Sequence, residues 1–157
     1  MNQSSFREHP VRWIFSIVAA IVLVPILVFV GTYVWVHNAN NAAAKQIEAR
    51  LLTLKTPDHT ELVDSSWAVS RFAGGGNGTH QAAALLIRSN LNREALDSFY
   101  EAQPGDQRVI ATTGDELRGE SRMFNEEHDL RQPGLFMVFA YVEPESVLLH
   151  DYDLRGH

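Results

Sequence analysis

The sequence predicts an α+β fold: one N-terminal transmembrane helix followed by a small antiparallel-sheet domain with one packed helix. Three observations predict it. Trp13 to Val36, WIFSIVAAIVLVPILVFVGTYVWV, contains no charged residue. Two β-like runs flank a Gly/Asn cluster, and a third run, Leu135–Val142, is apolar throughout. Between them Asn92–Gln103 carries the cap, staple and apolar face of a short helix.

The span comes first. At 1.5 Å per residue, 24 residues give roughly 36 Å of helix, enough to cross about 30 Å of hydrocarbon with some tilt. Trp13 stands at one end and Tyr33 and Trp35 at the other, where amphipathic rings favour the two interfaces. A core helix of a soluble domain is rarely apolar all round for this length. The apolar region of a signal peptide is shorter, although the small residues Ala42–Ala44 after the span would suit cleavage. Pro25, mid-span, predicts a kink near Ile21–Val22. Ala19, Ala20 and Gly31 are small residues of the kind that let helices approach closely in membranes.

Residues 1–12 read as a polar cytoplasmic tip, 13–36 as the transmembrane helix, 37–57 as a juxtamembrane helical stalk and 58–157 as an exported α+β domain. Arg7 and Arg12 precede the span, and the first basic residue beyond it is Lys45. That bias places the N-terminus in the cytoplasm and the domain outside the cell membrane. Beyond the span, 11 Lys/Arg face 18 Asp/Glu, a formal charge of −7. Such a domain is repelled by anionic headgroups and lacks the basic footprint that nucleic acid requires. There is no cysteine, which excludes disulfides, thiolate zinc sites and thiol nucleophiles.

In the stalk, Ala43, Ile47, Leu51 and Leu54 recur at helical spacing, and Thr56-Pro57 ends the run. Asn38–Asn41 either separates this helix from the span or continues it. Glu61–Ala73 reads as a strand with Val63, Trp67 and Val69 on one face, and Thr79–Ser89 as a second with Ala83, Leu85 and Ile87 on one face. Gly74–Gly78 between them reads as a loose hairpin turn. In the helix Asn92–Gln103, Asn92 is the N-cap, Leu91 and Leu96 have the spacing of a hydrophobic staple, and Glu94 lies in the first turn. Leu96, Phe99 and Tyr100 form its apolar face, and Pro104-Gly105 stops it. Arg108–Thr113 reads as a short strand, Leu135–Val142 as a central strand buried on both faces, and Val147–Leu154 as a last strand.

The series ELVDSS, GGGNG, ALLIRSNLN and ALDSFY within Glu61–Tyr100 resembles a group of uncharacterised single-pass membrane proteins of Gram-positive bacteria with an exported domain. Here Thr79-His80 replaces the Met-Gln step of that group's turn. The resemblance covers about a quarter of the chain. It implies bacterial origin and an exported domain, and carries no activity with it.

Candidate chemistry is sparse. Gly76, Asn77 and Gly78 could cradle an anion or ligand on backbone amides, but the cluster lacks the lysine of a phosphate loop and leads into a strand. Asp64, Ser65, Ser66 and His80 include the residue types of a hydrolytic triad, without a nucleophile elbow around either serine. His59, His80, His128, His150 and His157, with Asp151 and Asp153, show no paired metal-ligand spacing; Glu126-Glu127-His128-Asp129 could attract a cation loosely. No catalytic residue, cofactor site or metal site is assigned. The long segment Gly114–Gly134 carries six acids, Asp115, Glu116, Glu120, Glu126, Glu127 and Asp129. Loops of this length are functional or disordered, and Met123, Phe124, Glu126 and Glu127 are the candidate partner contacts. The reading is a membrane-anchored, non-enzymatic accessory or interaction protein, a subunit of a larger complex with other membrane proteins. The alternatives are an extracytoplasmic sensor or small-ligand-binding module, and a small hydrolase.

Overall fold

The computed structural model describes residues 10–70, 79–112, 123–124 and 127–156. The chain divides into two compact units, Met1–Trp35 and Val36–His157. Helix α1, Pro10–Leu51, belongs to both and holds Pro25 in its interior. In the first unit it is largely apolar and is exposed from Arg12 to Gly31, with Ile14, Phe15, Leu27 and Phe29 among its exposed side chains. It is the one helix, among the described residues, long and apolar enough to cross a membrane.

The second unit is an α+β domain. Its strands are β1 (Thr60–Ser70), β2 (His80–Ser89), β3 (Arg108–Ala111) and β4 (Leu135–Val142), and the second helix, α2 (Arg93–Glu101), lies between β2 and β3. The strands form an antiparallel sheet in the order β1-β2-β4-β3. β2 and β3 both pair antiparallel with β4 and are therefore parallel to each other. Parallel strands need a crossover, and α2 lies on that connection.

Alternation along the strands sorts side chains to two faces. On one, Ala83, Leu85, Ile87, Val109, Val138 and Ala140 meet Ile47 and Leu51 of α1 and Leu96 and Tyr100 of α2. On the other, Ala82, Ala84, Leu86, Leu135, Met137 and Phe139 are covered by Phe124 and Leu130 of the β3–β4 connection. β4 is thus a central strand, as its continuous apolar run predicts. β2 is central as well, buried at every position but Arg88.

Several expectations are corrected. The segment read as a stalk also contributes to the domain core: Ile47 and Leu51 pack in the same cluster as α2 and the sheet. Its buried stripe is Val36, Asn40, Ala44, Ile47 and Leu51, whereas Ala43 is only partly covered. The helix passes through Asn38–Asn41 without a break because Asn40 finds polar partners inside the domain. In β1 the pairing steps from Leu62↔Ile87 to Asp64↔Leu86, which leaves Val63 as a β-bulge. The extra residue reverses the alternation, so Val63 packs on the Phe124 face and Trp67 on the α1 face. Val147–Leu154 is not a strand. Ser146 accepts the Leu149 N–H at 3.2 Å and caps a short helix, α3 (Val147–Asp151), which a 3₁₀ turn follows at Leu154–Gly156. A serine N-cap ahead of an unalternating Val-Leu-Leu run favours the helix.

α2 matches its cues: the Asn92 side chain accepts the Ala95 N–H at 3.0 Å, and Leu96 and Tyr100 are buried. Gly134, which opens β4, sits at φ +78°, and an added Cβ would lie 3.0 Å from the Ser89 carbonyl oxygen. The Ser89 N–H donates to the Gly134 carbonyl at 2.9 Å, so the two backbones cannot easily separate. Gly134→Ala is expected to cost about 1–3 kcal/mol; a denaturation midpoint equal to wild type would show that this turn tolerates a side chain.

Candidate functional site

Two polar clusters stand out in the domain. The first joins the chain's C-terminal segment to α1. The Asp153 carboxylate, 0% exposed, accepts the Asn40 amide at 2.8 Å and the Arg155 guanidinium at 2.6 and 2.9 Å. Arg155 also donates to the Asn41 side chain at 2.6 Å and to the His37 carbonyl. Asn40 in turn donates to the Leu149 carbonyl and accepts from Gln81, both at 2.9 Å or less, and the Thr79 hydroxyl donates to the Asp153 carbonyl. Burial by itself would raise the Asp153 carboxyl. The hydrogen bonds from Arg155 and Asn40, with the Arg155 charge, overcome it and hold the group at about 2. Every partner is engaged, which marks a structural fastening.

The second cluster lies on the other side of the sheet. Asp64, the residue after the bulge, meets His128 with 2.8 Å between Oδ2 and Nε2. The Asp64 Oδ1 accepts the Ser65 N–H at 2.8 Å, which fixes the carboxylate. Glu127 completes the group: one ligand atom from each of the three lies within 4.8 Å of the others. The Phe124 carbonyl accepts the N–H groups of both Glu127 and His128, so burial of Phe124 sets the position of both side chains. The His128 ring stands edge-on to Phe124, with centroids 6.2 Å apart.

The candidate partner contacts fare differently from one another. Phe124 is 2% exposed and belongs to the core, so its ring is not offered to a partner. Met123 is partly buried against the same cluster. Glu127 is exposed and faces Asp64 and His128. Glu126 and the turn residues Gly76, Asn77 and Gly78 lie outside the described residues. The residues of the hydrolytic alternative are not brought together. Ser65 donates to Glu48 of α1 at 2.8 Å, on the opposite face from Asp64. Ser66 pairs with Ala84, four positions along β2 from His80, or roughly 13 Å at strand spacing. His80 is buried with its ring edge-on to Tyr141.

Sequence reasoning missed both clusters. The partners of Asn40 are 41 to 113 residues away, and Asp64 is 64 residues from His128. Only Glu126–Asp129 gave a local signal, and it could not name Asp64. No protein-family model, curated protein or solved structure matches the chain.

Proposed function

We propose that the chain is a membrane-anchored, non-enzymatic accessory protein. Its domain lies outside the cytoplasm, and it works by association with other membrane proteins. The observation that carries this reading is the first half of α1, which is apolar and exposes large side chains such as Ile14, Phe15, Leu27 and Phe29. That surface needs lipid or other helices around it. Gly31 supports a helical partner: a Cβ added there meets nothing within 4 Å, so another helix has room to approach its backbone. Arg7 and Arg12 just before the span, with no Lys or Arg beyond it until Lys45, support the orientation. The resemblance of the Glu61–Tyr100 series supports a bacterial origin.

Extraction in mild detergent, followed by mass spectrometry of co-purifying proteins, tests the association. A defined set of membrane proteins is expected, and Gly31→Leu should deplete it. Recovery of the chain alone would overturn the reading. Orientation is tested separately. Protease added to intact, wall-stripped cells is expected to remove a tag at His157; a tag digested only after lysis would place the domain in the cytoplasm.

A further inference from the structure

We propose that Asp64, Glu127 and His128 form a binding site for a divalent transition-metal ion, Zn²⁺ foremost. The β-bulge at Val63 places the first ligand. Without the extra residue at Val63, the alternation of β1 would turn residue 64 to the α1 side. The bulge aims Asp64 at the loop instead, and bulges recur where a side chain must be re-aimed. The loop is held in turn by Phe124 and Leu130, both buried in the cluster on that face. Two fixed backbones thus bring one imidazole and two carboxylates to one point.

The donor set selects the ion. Hard cations such as Ca²⁺ and Mg²⁺ take oxygen ligands, whereas imidazole suits zinc and its neighbours. Two carboxylates balance a dication. Tetrahedral donors at about 2.1 Å from zinc stand about 3.4 Å apart. Here His128 and Asp64 are at 2.8 Å and the whole set lies within 4.8 Å, so small rotations of the exposed Glu127 and of the Asp64 and His128 side chains complete the shell. The Ser65 N–H bound to Asp64 Oδ1 is the kind of outer hydrogen bond that orients a ligating carboxylate. The Asp64 and His128 side chains are 33% and 28% exposed, which leaves solvent access and a remaining position for water. A simple His–Asp pair would not call for Glu127. Its carboxylate beside Asp64 adds a second negative charge that a bound dication would neutralise.

The test uses the full chain in detergent, free of any histidine tag and stripped of metal by a chelator. Calorimetric titration with ZnCl₂ is expected to give one Zn²⁺ per chain. His128→Ala, Asp64→Asn and Glu127→Gln should each weaken binding at least about tenfold, because even outer-shell changes cost 10–100-fold. Asp129→Asn, which keeps an acceptor for the Arg131 N–H, should bind as wild type does. Glu127 is exposed, so Glu127→Gln keeps the test valid if the other two variants fail to fold. Substitution with Co²⁺ should give visible absorption bands of an ion with nitrogen and oxygen ligands, lost in Glu127→Gln. Absence of saturable Zn²⁺ binding, wild-type affinity in Glu127→Gln, or equal weakening by Asp129→Asn would overturn the site.

Discussion

Leu96→Ala is expected to destabilise the domain by about 2–5 kcal/mol, read as a fall in the denaturant midpoint at unchanged slope. Leu96 is 0% exposed and lies among Ile47 and Leu51 of α1 and the inner residues of β2 and β4. Its truncation opens a cavity where two helices and the sheet meet, a place with little freedom to collapse. Phe99→Ala should cost less. Phe99 is only partly buried, edge-on to Tyr100 with centroids 5.4 Å apart. Asp97 looks like a dispensable surface acid on the far side of the helix, yet its Oδ1 accepts the Val109 N–H at 3.1 Å. β3 is an edge strand, and Asp97 occupies a donor that its free side would otherwise leave open. Asp97→Ala should therefore cost about 1 kcal/mol. Equal midpoints for Leu96→Ala and Phe99→Ala would mean that α2 does not pack as described.

The difference between Leu96 and Asp97 illustrates what a sequence exposes. Leu96 is legible from spacing and caps alone, because its burial follows from the helix being amphipathic. The same holds for the apolar span and for β4, whose bulk and continuity admit few alternatives. β2 was harder. Ala82 and Ala84 are small enough to read as neutral, although both are fully buried under the Phe124 loop. The bulge at Val63 leaves no compositional trace, since no glycine marks it, and it reverses every side assignment N-terminal to Asp64. Val147–Leu154 carried a local signal in Ser146 that an apolar count overlooks. Asn40 and Asp64 carried none: each is defined by partners brought together only by the tertiary fold.

Arg155→Ala is expected to cost about 3 kcal/mol, comparable with the loss of a core leucine, because it strips the guanidinium from a fully buried carboxylate. Among the described residues, Asn40 and the Arg155 backbone N–H are what remain to hold Asp153. The C-terminal segment should then loosen from α1, since Arg155 also binds Asn41 and the His37 carbonyl. Acid provides an independent check. The Asp153 carboxyl is lowered from 3.8 to about 2 in the folded protein. A group depressed in this way contributes stability above its unfolded value, and that contribution is lost as pH falls toward the folded one. The window is thus pH 4 down to about 2. Asp153→Asn keeps the side-chain shape and removes the titration, so its stability deficit relative to wild type should be largest above pH 4 and shrink as pH falls through this window. Denaturant titrations of both proteins at pH 7, 4 and 2.5 measure it. A deficit that stays constant across these three values would mean that Asp153 is not held by charge, and that the segment is fastened instead by Asn40 and by Thr79, whose hydroxyl reaches the Asp153 carbonyl at 3.1 Å.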